Sequence, residues 1–140
     1  MLKLMKKPFI LLLLLCQLSF GQNSSQILRG FVVPDGAQDY ESVAESLGLV
    51  IPLNAYTACQ DFESYIWTGL KASTVNGLVR NLDSRIRQAP WRIIKADGEA
   101  RSITYIGTQQ GATKIVSIDA ITNSLSKHFV LLLLCEVPTN

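Results

Sequence analysis

The sequence predicts an α+β domain in which an antiparallel sheet of four to five strands carries one long amphipathic helix packed on one face. Three observations favour this class. Apolar residues recur at helical spacing between positions 75 and 86, and beyond Pro90 the apolar period changes to two. The 140 residues are 48% hydrophobic and only 17% charged, a composition typical of one folded domain.

Residues 1–21 have the three regions of a secretory signal peptide. Three lysines precede position 8, residues 9–20 are almost entirely apolar, and Ser19 and Gly21 supply the small side chains that signal peptidase requires. The apolar run is shorter than the roughly 20 residues that a membrane-spanning helix needs. We therefore expect export of a bacterial protein to the periplasm or the medium.

Cleavage of this leader leaves residues 22–140 as a single domain beginning at Gln22, with no membrane span. Two alternatives remain open. The leader is an uncleaved anchoring helix, or Cys16 is lipidated, although leucines stand where a lipidation signal requires a small residue.

The first part of the mature chain predicts short elements. Residues 27–33 form an apolar segment that turn-forming residues at positions 34–36 end. Residues 39–49 fit a short helix, residues 50–58 an irregular strand or loop, and residues 62–68 a strand.

The clearest predicted element is a helix that Ser73 or Thr74 caps. It ends before Pro90, because the residue preceding a proline avoids the α region. Its apolar stripe should pack on the sheet and consists of Val75, Leu78, Val79, Leu82 and Ile86.

Four strand-like runs follow Pro90, at residues 91–96, 101–106, 114–121 and 129–137. The predicted connections are Asp97-Gly98, Gly107 to Gly111 and Thr122 to Lys127, and each is short enough to join antiparallel neighbours. The last run is apolar without alternation, which predicts a central strand that is covered on both faces or lies under the helix.

Two cysteines remain after cleavage, Cys59 and Cys135, and we expect them to form a disulfide in an oxidising compartment. The alternative is two separately buried thiols. With His128 as the one histidine, the chain lacks a zinc ligand set, and no cofactor motif is present.

Charge is distributed unevenly along the mature chain. Without its leader the chain has 10 basic and 11 acidic residues, which excludes a general nucleic-acid binder. Residues 22–70 carry a net charge of −5 and residues 71–140 one of +4. Either the two halves neutralise each other or point to water, or the basic residues bind an anionic envelope component or protein. The candidate binding residues are Arg80, Arg85, Arg87, Arg92, Lys95 and Arg101.

Aromatic side chains allow two interpretations. They line a sugar- or peptide-binding face, or they are packing partners across the strands of the sheet. The residues concerned are Tyr56, Tyr65, Trp67 and Tyr105.

Catalysis would depend on His128 together with Ser117, Asp119 or Ser126, since an acyl-transfer site needs a nucleophile, a base and an orienting acid. The sequence has no nucleophile elbow, and we assign no catalytic residue. We expect a non-catalytic binding or structural role in the envelope or medium, with a small envelope hydrolase as the alternative.

The order of these signals resembles a group of small secreted or lipid-anchored bacterial α+β domains of unassigned function. The matching features are a Pro34-x-Gly36-Ala37 turn, a helix around residues 75–86, and Trp91 before the hairpins. This chain departs from that group by having Ala89-Pro90 before the tryptophan, where the group tends to have glycine. The resemblance implies secretion and an α+β fold, and it supplies no catalytic residue.

Overall fold

The fold is an α+β arrangement of two helices and one six-stranded antiparallel sheet, seen in a computed structural model that describes residues 23–49 and 58–139. The predicted signal peptide and most of the predicted irregular segment at 50–58 lie outside the described residues. The helices are α1 (Tyr40–Val43) and α2 (Ala72–Gln88). The strands are β1 (Gln38–Asp39), β2 (Asp61–Leu70), β3 (Arg92–Glu99), β4 (Ser102–Gln109), β5 (Ala112–Thr122) and β6 (His128–Glu136).

The order of strands across the sheet is β1-β2-β6-β5-β4-β3. The expected four to five strands become six, because the two-residue strand β1 pairs with β2 through Gln38 opposite Ile66 and Asp39 opposite Tyr65. So short a strand has no alternation that a sequence pattern can reveal. The chain that precedes α1 therefore forms one edge of the sheet.

Helix α2 is the predicted long helix, and its start differs from the expected one. The residue at the N-cap is Lys71, so Ser73 and Thr74 already lie inside the helix. Thr74 still stabilises this end, since its hydroxyl oxygen accepts the Lys71 N–H at 3.1 Å. At the other end Ala89 adopts an extended conformation before Pro90, as predicted, and Trp91 Nε1 donates to the Ile86 carbonyl at 2.8 Å.

Two glycines that the sequence predicts in turns, Gly98 and Gly107, lie within strands instead. Asp97-Gly98 lies inside β3, and the turn falls at residues 100–101, because Glu99 pairs with Ser102. Gly98 is needed where strands approach closely, since a Cβ there would lie 2.0 Å from the Ser102 carbonyl oxygen. Gly107 likewise lies in β4, where a Cβ would meet the Arg92 carbonyl oxygen at 2.5 Å.

Strand β6 explains why its sequence is apolar without alternation. It lies between β2 and β5, and its residues alternate between two hydrophobic clusters. Val130, Leu132 and Leu134 face the cluster that contains α2. Phe129, Leu131 and Leu133 face a second cluster with Tyr40 and Ala44 of the α1 region. The prediction of a central, doubly covered strand is thus confirmed.

The predicted disulfide is present between Cys59 and Cys135, with their Cα atoms 5.5 Å apart. Cys135 lies in β6 opposite Phe62, so the bridge ties the residues preceding β2 to the strand beside it. Within residues 23–49 and 58–139, no helix is long and apolar enough to cross a membrane.

Candidate functional site

A cleft of about 560 Å³ opens at one end of the sheet, where the segment at residues 24–33 crosses the ends of four strands. Its wall comes from this segment, the start of β2, the β4–β5 turn, the start of β5 and the end of β6. The polar residues that define it are Arg29, Asp61, Glu63, Gln109, Lys114 and Glu136. We refer to it below as the end cleft.

The carboxylate of Glu63 fixes the crossing segment at the cleft. Its Oε1 accepts hydrogen bonds from Ser25 Oγ at 3.1 Å, from Gln26 N at 2.8 Å and from Ile27 N at 2.7 Å. Its Oε2 accepts the hydroxyl of Tyr65. Burial raises the pKa of Tyr65, and the hydrogen bond to Glu63, the negative charge of Glu63 and that of Asp39 raise it further. Both carboxylate oxygens of Glu63 therefore accept hydrogen bonds from within the protein.

Lys114 lies on the floor of the end cleft and is only 3% exposed. Its ammonium group donates to the Ile27 carbonyl oxygen and to Gln109 Oε1 at 3.3 Å, and it lies 3.6 Å from Glu136 Oε1. A buried ammonium requires such partners, because burying an unpaired charge is costly. No sequence pattern indicates this role, since Lys114 occupies an inward position in a strand that otherwise alternates normally.

Gln109 completes the floor of the end cleft at the end of β4. Its Oε1 accepts the Arg29 N–H at 3.0 Å, and its Nε2 donates to the carbonyl oxygens of Arg29 at 2.8 Å and Pro90 at 3.1 Å. The side-chain amide therefore pairs with the Arg29 backbone as a neighbouring strand would. The next two residues, Gln110 and Gly111, both have positive φ and form the two-residue turn into β5.

Two charged groups at the end cleft have no such partners. For the Arg29 guanidinium and the Asp61 carboxylate, the described residues provide no hydrogen bond or ion pair, and both residues are exposed. Asp61 is the direct cross-strand neighbour of Glu136, which in turn is opposite Lys114. The inner groups of the cleft, Glu63, Lys114 and Gln109, thus have partners within the protein, whereas the charges of Arg29 and Asp61 are available to a ligand.

The six basic residues singled out by the sequence lie in three places: on α2 (Arg80, Arg85 and Arg87), on β3 (Arg92 and Lys95) and in the turn after β3 (Arg101). Three of them have partners. Arg85 donates to Asn81 and to the Val32 carbonyl, Arg87 pairs with Asp83 at 3.0 Å, and Lys95 pairs with Asp97 at 3.8 Å. Within the described chain, Arg80, Arg92 and Arg101 have no hydrogen bond or ion pair from their side chains.

Two of these unpaired arginines lie near each other. Arg80 of α2 lines a small surface depression together with Ala100, and Arg101 is the next residue of the same turn. Arg92 instead starts β3 and lines a different depression with Arg29, beside the end cleft. The structure therefore groups Arg80 with Arg101 and places Arg92 apart from them.

The histidine considered for catalysis begins β6, where its Nδ1 is 3.1 Å from Thr122 Oγ1. Asp119 instead accepts a hydrogen bond from Ser102 Oγ at 2.7 Å, and its strand partner is Leu131 rather than His128. The contacts of these groups do not join them, and a hydrolase role for His128 with Ser117, Asp119 or Ser126 stays a prediction.

Among the aromatic residues considered for a binding face, Trp67 and Tyr105 belong to the core, and Tyr65 packs partly buried against it. Tyr56 lies outside the described residues. The three that are described therefore serve as packing residues.

Residues 23–49 and 58–139 contain no group of three or more histidine, cysteine or acidic side chains placed to hold a metal ion. Comparison of the chain with protein-family models, with curated proteins and with solved structures gave no match.

Proposed function

We propose that the protein is an exported bacterial domain with a non-catalytic binding role, which contacts an anionic envelope component through cations of α2 and the first hairpin. The disulfide between Cys59 and Cys135 is consistent with an oxidising, exported compartment. The leader at residues 1–21 supports export on sequence grounds.

One observation carries the binding proposal: the opposite charges of the two halves of the chain stay apart. Three ion pairs occur within the described ranges, Arg87–Asp83, Lys95–Asp97 and Lys114–Glu136, and all lie within the basic second half. The acidic residues Asp39, Glu41 and Glu45 are exposed beside β1. Because β1 and β3 are opposite edges of the sheet, the charge asymmetry of the sequence becomes an asymmetry in space.

The consequence is a basic surface that its own acidic half does not neutralise. We define this basic surface by Arg80, which lines a depression together with Asp83 and Ala100, and by Arg101, the residue after Ala100, with Arg92 as a more distant contributor. Arg85, Arg87 and Lys95 add positive charge, although carboxylates partly compensate Arg87 and Lys95, while the partners of Arg85 are neutral. Closely spaced phosphates, as on anionic lipid head groups, are the complementary chemistry.

The test is co-sedimentation of the mature protein with vesicles of phosphatidylglycerol and with vesicles of phosphatidylcholine. We expect binding to the anionic vesicles that weakens as salt is added. A cation near such a surface contributes about 1 kcal/mol, so the double variant Arg80→Gln/Arg101→Gln should bind about 30-fold more weakly.

The matched control is Lys71→Gln/Lys127→Gln, which removes the same charge from two exposed residues outside the basic surface. If the control and the double variant lose equal affinity, only net charge matters and the assignment to this surface is wrong. If the wild-type protein binds neither kind of vesicle, an anionic lipid partner is excluded.

A further inference from the structure

The end cleft has a rigid floor because its inner charged groups are satisfied within the protein. Glu63 accepts three hydrogen bonds from residues 25–27, and Lys114 binds Ile27, Gln109 and Glu136. A site whose walls are already fixed loses little conformational entropy when a ligand binds. The end cleft is therefore preorganised in the sense that a binding site requires.

One side of the end cleft carries more negative charge than its cation compensates. Asp61 and Glu136 are directly opposite each other on β2 and β6, and like charges in such pairs repel. Lys114 supplies the one ammonium described beside them, and it approaches Glu136. A ligand ammonium placed between Asp61 and Glu136 would supply the second cation that this pair of carboxylates lacks.

The other side carries the positive charge of Arg29, whose backbone is held at a fixed position. Both backbone polar groups of Arg29 are held by the side chain of Gln109, at 3.0 Å and 2.8 Å. The guanidinium group nonetheless has no partner among the residues that the structure describes. Arginine binds carboxylates in a two-pronged geometry, so a carboxylate is the group that suits this wall.

From this placement of charges we propose that the end cleft binds a small zwitterion, such as a short peptide, with its ammonium at Asp61 and Glu136 and its carboxylate at Arg29. The cleft volume of about 560 Å³ falls in the range of small-molecule sites. This binding site is separate from the basic surface, and neither proposal depends on the other.

The experiment uses isothermal titration calorimetry of the mature, disulfide-bonded protein with three dipeptide probes. Glycylglycine carries both charges, N-acetylglycylglycine lacks the ammonium, and glycylglycinamide lacks the carboxylate. We expect glycylglycine to bind with Kd of about 1 mM or below, and each blocked dipeptide to bind about 10-fold more weakly or worse.

Two variants assign each end of the ligand to its residue. Asp61→Asn should weaken glycylglycine and reduce the preference over the acetylated probe, because only Glu136 then remains at the ammonium, while the preference over the amide persists. Arg29→Gln should weaken glycylglycine and abolish the preference over the amide, while the preference over the acetylated probe persists. This pattern identifies direct pairing, because a general loss of structure would weaken all three probes together.

The matched controls are Asp97→Asn and Lys127→Gln, which make the same charge changes away from the end cleft. Both should bind glycylglycine as the wild type does. The proposal is overturned if glycylglycine does not bind, if blocking either end changes nothing, or if the control variants lose as much affinity as the cleft variants. Since the vesicle assay depends on Arg80 and Arg101, failure of one proposal is distinguishable from failure of the other.

Discussion

The hydroxyl of Tyr105, at the centre of β4, donates a hydrogen bond to Asp83 Oδ1 on α2. The same carboxylate oxygen accepts Arg87 Nε at 3.0 Å, and the Arg87 guanidinium lies 5.6 Å from the centre of the Tyr105 ring. Sheet and helix are thus joined by a polar contact in addition to their apolar packing. Tyr105 itself is fully buried, whereas the Asp83 and Arg87 side chains are 32% and 53% exposed, so the contact lies where the core meets the surface.

Stability should fall as the solution becomes strongly alkaline. Burial raises the pKa of Tyr105 above the ordinary 10.0, the hydrogen bond and charge of Asp83 raise it further, and Arg87 acts in the opposite direction. The unfolded chain releases this proton at the ordinary value, so the contribution is fully present below about pH 10 and is lost above it. Urea unfolding at a series of pH values measures this loss.

The Tyr105→Phe variant is the control for that titration. Its free energy of unfolding should decrease less steeply above about pH 10 than that of the wild type, because one of the shifted tyrosines is gone. Equal slopes in the two proteins would show that Tyr105 is not protonated preferentially in the fold.

Leu82→Ala should lower the free energy of unfolding by about 2 to 5 kcal/mol, since Leu82 is fully buried between α2 and the sheet. Leu78→Ala is the matched control on the same helix, where the side chain is only partly buried, and it should cost less. Denaturant unfolding measures both. A loss below about 0.5 kcal/mol for Leu82→Ala would contradict the packing of this helix face.

Removing the disulfide should destabilise the domain. The bridge joins residues separated by 76 positions, and the loop-closure model gives about 4 kcal/mol for a loop of this length. We expect the Cys59→Ala/Cys135→Ala variant to unfold at a Tm several degrees below that of the oxidised wild type. Thiol titration of denatured, unreduced wild-type protein is the independent check, and two reactive thiols there would refute the bridge.

Glu63→Gln should loosen the segment at residues 25–27 while leaving the centre of the sheet intact. The carboxylate accepts three hydrogen bonds from this segment, and hydrogen bonds to charged groups contribute about 1.5 to 3 kcal/mol each. Amide hydrogen exchange at Gln26 and Ile27 should become faster, with β6 unchanged. The exposed Glu99→Gln change serves as the control, and unaltered exchange in Glu63→Gln would disprove the anchoring role.

Expression of the full chain in a bacterium should give an exported product that begins near Gln22. Intact mass spectrometry of the periplasmic fraction and the medium measures this start. Replacing Leu12 and Leu14 with aspartate should block export, because it interrupts the apolar region of the leader. Exported protein that retains residues 1–21 would show that cleavage does not occur.

The sequence predicted the parts of the fold that depend on long periodic patterns. Helix α2 and the strands β4, β5 and β6 bury apolar residues at regular positions, and periodicity reports such burial directly, whereas β3 is an edge strand that is exposed along nearly its whole length. The pairing of Cys59 with Cys135 followed from the two cysteines that remain once the predicted leader is removed. By contrast, β1 has two residues, too few for any period.

The end cleft was not predictable, because its groups come from five separate stretches of the chain. In the sequence, Lys114 and Gln109 occupy ordinary polar positions, Lys114 in a predicted strand and Gln109 in a predicted connection. They are buried because residues 25–33 cross over them. The glycines at positions 98 and 107 misled the turn assignment for a related reason. Each is required by the close approach of another backbone, which sequence-local turn chemistry does not report.

The central position of β6 determines when the sheet can close during folding. Both β2 and β5 need this strand as a neighbour, yet among the described residues it is the last strand to be synthesised. Until residues 128–136 emerge, the earlier strands belong to two separate pieces without a shared centre. Cys135 arrives with the same strand, so Cys59 meets its intended partner only at this final step. Closure of the sheet and oxidation of the chain therefore fall within one late event.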